Sequence, residues 1–343
     1  MENILGSRSS LFAQFISFCP RCARTARSPA FRMSMTLADT QKSITTTISV
    51  SEITDYLPPS FSTVQPHVLS TPRKLGVSQK SIAQTFSLLR AQGKVAFIPY
   101  VTAGDPSLSV TAQALRVLND SGADIIELGL PHSNPSLDGP VIQASVARSL
   151  QNGCDWESVL GMLKKVTPNI EAPIVLFTYY KPILKKGIEN FVQAVRSAGV
   201  TGLLIPDLPP EEIHKARILT ELCGLELVLL TTPTTSKQQM NYISQVSQGF
   251  IYLVSRNGVT GPSSTIQPQV ENLLQTLRKV TDKPISVGFG ICKPEHAIQL
   301  RRWGADGVIV GSALVKQLGE APSPEEGISA IRKFTQEFKK VLS

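Results

Sequence analysis

From residue 95 onward the chain alternates short apolar, β-branched runs with stretches of helical periodicity. The apolar runs are "VAFIPYV" (95–101), "DIIELGL" (124–130), "PIVLFTY" (173–179), "GLLIPDL" (202–208), "LELVLL" (225–230), "FIYLVS" (250–255), "PISVGFG" (284–290) and "DGVIVGS" (306–312). Between them, segments such as 110–117, 188–195 and 298–303 repeat their apolar residues every three to four positions, which predicts amphipathic helices. Ile82, Phe86 and Leu89 fall on one face of a further helix ahead of the first run. The runs are apolar throughout and not alternating, as expected of parallel strands buried on both faces. Eight βα units without a break predict an α/β fold, a closed (β/α)8 barrel with an extra N-terminal helix. An open dinucleotide-binding sheet is the rival, but "TAGDPS" stands where its G-x-G-x-x-G would follow the first strand.

Length fits that choice, because such a barrel uses about 250 residues and the chain has 343. The net charge of +8 is concentrated at one end: residues 1–80 carry nine Lys/Arg against four Asp/Glu. The body has no basic run able to clamp a phosphate backbone, so nucleic-acid binding is not expected. No apolar run reaches the ~20 residues of a membrane helix, and the mature chain is expected to be soluble. Residues 1–36 hold five arginines, six serines and a single acid, Glu2, a composition of organelle transit peptides rather than secretory signals. The Ser/Thr-rich tract to about residue 76 extends it, giving a leader over 1–76 and a catalytic barrel over 77–343. Composition alone does not separate plastid from mitochondrion. Cys19 and Cys22 form a CxxC inside the leader, but without a second pair it is read as neither redox nor metal chemistry. Cys154, Cys223 and Cys292 are scattered singly, as reduced thiols are.

In a (β/α)8 barrel the chemistry lies at the C-terminal strand ends. The polar or special residues there are Asp105, Glu127, Asp138, Tyr179, Asp207, Thr232, Tyr252, Arg256, Thr260, Gly261, Gly290, Gly311 and Ser312. "NGVTG", "GFGI" and "GSALV" end the last three βα units; their glycines admit close backbone approach and the last opens a helix, so together they predict a phosphate site. With no Walker loop, the ligand is expected to be a sugar or triose phosphate. Glu127 alone reads as a solvated or salt-bridged carboxylate, and Asp138 alone as a helix N-cap ahead of Pro140. Placed together at the mouth, opposite a phosphate site, they fit an acid–base pair.

"FIPYVTAGDP", "IELGLPHSNPSLDGP", "LVSRNGVTG", "VGFGI" and "VGSALV" occur in order from about residue 78 to the end, and together resemble the tryptophan synthase alpha chain family, including the plant freestanding indole-3-glycerol-phosphate lyases. The resemblance implies retro-aldol cleavage of indole-3-glycerol phosphate to indole and glyceraldehyde 3-phosphate, with no metal and no organic cofactor. Glu127 falls on the family's proton-shuttling glutamate and Asp138 on its aspartate at the indole N–H. Thr260 falls on the threonine of the loop that closes over the site. Tyr100, Phe177, Tyr179, Leu230, Tyr252 and Phe289 fall on indole-pocket positions, and Gly261, Gly290, Gly311 and Ser312 on phosphate-binding positions. Indole is a poor leaving group until C3 is protonated, so an acid and a base, each contributing roughly 10²–10⁴-fold, suit the step.

The loop departs from the family's pattern, which is close to P-x-S-D-P-x-A-D-G-P. Asn134 replaces its first aspartate and Leu137 the small residue before Asp138, while His132 and Ser136 are also unusual. In the two-subunit enzyme that first aspartate resembles a contact to a beta-chain lysine, so coupling to a beta chain is the expectation that Asn134 weakens. Two rivals stand beside the lyase: a Schiff-base aldolase using Lys181, and a non-catalytic paralogue that only binds a beta chain. For the leader, the expected destination is the chloroplast stroma.

Overall fold

The computed structural model describes residues 80–255 and 266–343. The leader, with Cys19 and Cys22, lies outside the described residues.

Among the described residues the strands are β1 (Ala96–Thr102), β2 (Ile126–Gly129), β3 (Ile174–Phe177), β4 (Gly202–Leu204), β5 (Glu226–Thr231), β6 (Ile251–Val254), β7 (Ile285–Gly288) and β8 (Gly307–Val310). They pair in sequence order and close β8 onto β1, all parallel. Side chains alternate in and out. Phe97, Ile126, Leu128, Ile174 and Leu176 pack outward against the helices, whereas Ile98, Tyr100, Val175, Phe177, Val228, Tyr252 and Ile309 fill the interior. A strand buried on both faces is apolar at most positions, and here the polar exceptions are few: Thr102, Glu127, Glu226, Thr231 and Ser286.

Helix α1 (Ile82–Ala91) is set by a capping box between Ser81 and Gln84. Its buried residues Ile82, Phe86 and Leu89 belong to the barrel-interior cluster, so α1 closes the end of the barrel where the strands begin. Phe86 tilts against Phe250 at 5.5 Å. A side chain at Gly202 would have its Cβ 2.4 Å from Ile82 Cδ1, so the glycine makes room for the plug. The carboxylate of Glu226, the first residue of β5, accepts from the Ile82 and Ala83 amides at 2.6 and 3.0 Å and so pins the helix start.

The predicted helical stretches lie in α2 (Leu108–Asp120), in Ile188–Ser197 and in Pro294–Arg302, with Trp303 as the C-cap of the last. Six strands end sooner than their apolar runs, β3, β4 and β7 among them. β4 stops at Leu204 because Pro206 has no amide to continue the ladder. β3 stops at Phe177, and Tyr179 becomes the N-cap of a helix over Tyr180–Lys186. β7 stops at Gly288 because Phe289 and Gly290 both turn to positive φ, 77° and 78°.

Candidate active site

Glu127 stands on the inner face of β2, level with Tyr100 on β1 and Val175 on β3. Strand alternation forces it inward, since Ile126 and Leu128 occupy the outer face. Two glycines shape the space around it. A Cβ on Gly129 would meet the Tyr100 hydroxyl at 2.0 Å, and one on Gly288 would meet the Tyr252 hydroxyl at 2.2 Å. Each phenol therefore lies over a bare backbone on the neighbouring strand.

Asp138 arrives from the loop after β2. The helix that follows, α3 (Pro140–Gln151), has Gly139 as its N-cap and no side-chain cap bond. Asp138 is thus one residue short of the cap position its sequence context allowed. Its carboxylate instead accepts the Tyr179 hydroxyl proton at 2.8 Å, and the Tyr179 oxygen in turn accepts the Leu137 amide at 3.2 Å.

Both carboxylates are buried, Glu127 to 3% exposure and Asp138 to 7%. Glu127 makes no ion pair or hydrogen bond among the described residues. Burial, and then the charge of Asp138, push its carboxyl up to about 8. Burial also raises Asp138, but the Tyr179 hydrogen bond pulls it back, leaving it at about 6. At neutral pH the first is therefore mostly protonated and the second mostly ionised. Burial raises the hydroxyls of Tyr100 and Tyr252 too, so both stay neutral.

The other acidic candidates serve the scaffold. Asp105 receives Arg148 through two contacts of 2.8 Å, and Asp207 accepts the Tyr180 amide at 2.7 Å.

The carboxylates share a cleft of about 510 Å³ with Tyr100, Phe177, Tyr252 and Phe289 on its walls and Gly290, Gly311 and Ser312 at its rim. Ile142, Ile291, Ile309 and Ala313 complete it; nothing in the sequence singled these four out. Tyr179 and Leu230 are not in the wall. Tyr179 stands behind Asp138 as its hydrogen-bond donor, and Leu230 packs partly buried against the interior cluster. Phe289 keeps a left-handed backbone, a conformation that costs a non-glycine residue on the order of 1 kcal/mol or more. Ser255 supports it by donating from Oγ to the Phe289 carbonyl at 2.5 Å. Gly311 precedes the helix Ser312–Gly319, whose first residues line the cleft. Thr260, Gly261 and Arg256 lie outside the described residues. Lys181 is exposed on its helix and absent from the cleft wall, which gives no support to a Schiff-base lysine. Among the described residues no group of His, Cys, Asp and Glu could hold a metal ion.

The family profile described as "Tryptophan synthase alpha chain" matches residues 86–343. The chain belongs to the tryptophan synthase alpha chain family. Among its relatives, the tryptophan synthase alpha chain of Arabidopsis thaliana is 53% identical over 275 residues, 80% of this chain and 98% of the relative. That of Rippkaea orientalis is 53% identical over 262 residues, covering 76% and 98%. Among solved structures, Mycobacterium tuberculosis tryptophan synthase aligns with a TM-score of 0.70 at 32% identity, covering 77% of this chain and 99% of that one. A mutant tryptophan synthase alpha-subunit from Pyrococcus furiosus aligns at 0.66 and 37% identity, covering 72% and 97%.

Within that family's frame, the unusual loop residues of this chain sit on the outer side of the site. Asn134 is exposed, and Leu137 turns its side chain outward with 48% exposure while its amide binds Tyr179. His132, half-buried, lies against the Tyr179 ring with centroids 5.4 Å apart.

Proposed function

We propose that this chain cleaves indole-3-glycerol phosphate to indole and glyceraldehyde 3-phosphate with its own side chains and no cofactor. The observation that carries the reading is one apolar cleft holding two buried carboxyls of opposite ionisation. The aromatic walls offer a slot for a flat ring, and the rim of Gly290, Gly311 and Ser312 offers amides for the phosphate.

In this reading protonated Glu127 delivers its proton to indole C3. The glycerol hydroxyl then loses its proton as the C–C bond breaks, and the bonding electrons return to the indole ring. Glu127, now ionised, takes up that hydroxyl proton, so the cycle closes without any redox step. Ionised Asp138 accepts the indole N–H and stabilises the positive charge that forms when C3 is protonated. Tyr179 keeps Asp138 in its ionised form by donating to it. Anchoring at the phosphate end supplies orientation; by resemblance Gly261 is assigned to that anchor and Thr260 to the loop that closes over the site.

The partner of such a chain is a tryptophan synthase beta chain. With an exposed Asn134 in place of a carboxylate, a partner's cation meets only a neutral amide at that position. We expect turnover to depend weakly on a beta chain. The leader 1–76 is assigned to chloroplast import, which a fusion of these residues to a fluorescent reporter tests by its location. The catalytic test is indole release by the full chain, with and without a beta chain. Indole formed by the wild type and lost in E127Q and D138N is expected. No indole under either condition overturns the lyase, and strong activation by beta overturns the weakened coupling.

A further inference from the structure

Tyr179 carries more of the loop than its bond to Asp138. Three points on the segment between β2 and α3 meet this one side chain. The His132 ring lies on it at 5.4 Å with 35° between planes. The Leu137 amide donates to its oxygen at 3.2 Å, and the Asp138 carboxylate accepts its proton at 2.8 Å. On another side, Phe177 meets the Tyr179 ring edge-on at 6.1 Å and 82°. The ring is therefore held between Phe177, a wall residue of the cleft, and the imidazole of a loop residue.

We propose that His132 is a positioning residue for Asp138, acting through Tyr179: the imidazole clamps the phenol ring so that its hydroxyl stays on the Asp138 carboxylate. The inference rests on the catalytic role assigned to Asp138 above. His132 does not line the cleft; its ring contact is with Tyr179. A clamp needs a flat ring and not a charge, and the surroundings keep this imidazole neutral. Burial and the nearby Lys181 and Lys185 lower its pKa against the opposing pull of Asp207. Without the clamp the Tyr179 ring gains freedom, water competes for Asp138, and the carboxylate loses the one neighbour that holds its proton affinity down.

The test is the titration of the Asp138 side-chain carbon by carbon-13 NMR in the full chain, with indole release measured in parallel. Removing the ring in H132A should raise the Asp138 midpoint, in the direction that Y179F raises it, by an amount matching a two- to tenfold loss of an aromatic contact, about 0.3 to 1 pH unit. H132F, which restores a ring, should recover the wild-type midpoint, and H132Q, polar but not aromatic, should not. The double variant H132A/Y179F should go no further than Y179F alone, because the imidazole acts only through the phenol. An unchanged midpoint in both H132A and H132Q, or full additivity in the double variant, overturns the proposal. Absence of indole release from the wild type would instead overturn the lyase reading, and the midpoints would still decide the role of His132.

Discussion

Glu127→Gln should stop turnover and, at alkaline pH, make the protein more stable. The wild-type carboxyl lies at about 8 in the folded chain against an ordinary value of 4.5. Between those values the folded protein holds a proton that the unfolded chain has released, so stability falls as pH rises. The contribution is intact below the unfolded value and is gone once pH has passed the folded one. A gap of three to four pH units corresponds to roughly 4–5 kcal/mol at 1.36 kcal/mol per unit. Water entry and local relaxation around an ionised Glu127 reduce this, and about 3 kcal/mol is expected. Glutamine keeps the shape without the charge, so E127Q should escape the loss. The assay is urea unfolding of both proteins from about pH 5 to about pH 9, compared at equal m-values. The E127Q advantage should grow from about pH 5 to about pH 8 and level off above it. A difference independent of pH would refute the placement of Glu127 as a buried carboxyl without a cationic partner.

Two further substitutions probe the frame that holds the pair. Gly129→Ala places a Cβ within 2.0 Å of the Tyr100 hydroxyl, and thermal unfolding should show a loss of about 1–3 kcal/mol, with no loss if the phenol does not lie over β2. Glu226→Ala removes the acceptor of the Ile82 and Ala83 amides. It should cost about 1–2 kcal/mol and speed hydrogen exchange selectively in α1; uniform exchange would refute a local anchor.

What could be read before the structure was whatever depends on neighbours along the chain. Its position at the end of an apolar run placed Glu127 at the barrel mouth, and eight apolar runs alternating with helical segments implied the closed barrel. The glycine-rich ends of the last units likewise mark themselves by residue type. What escaped depends on residues far apart in sequence. Nothing local distinguishes Asp105, bound to Arg148, from Asp138, bound to Tyr179. The difference lies in which distant side chain the fold brings to each carboxylate. Nothing local marks Glu226 as the acceptor for the start of α1, 144 residues earlier in the chain. Tyr179 showed itself as aromatic at a strand end, but its hydroxyl geometry made it a donor to Asp138 and not part of the wall.

The most direct test of the central claim is the pH dependence of kcat/KM for indole release by the wild-type chain. That ratio reports the groups of the free protein. A rate that needs ionised Asp138 and protonated Glu127 must rise through about 6, peak near neutrality and fall through about 8. The alkaline limb decides the matter, since the substrate's own phosphate titrates near 6 as well. A fall centred near 8 that follows Glu127 is the predicted result; a rate that stays level from neutrality to beyond about pH 9 would contradict the account.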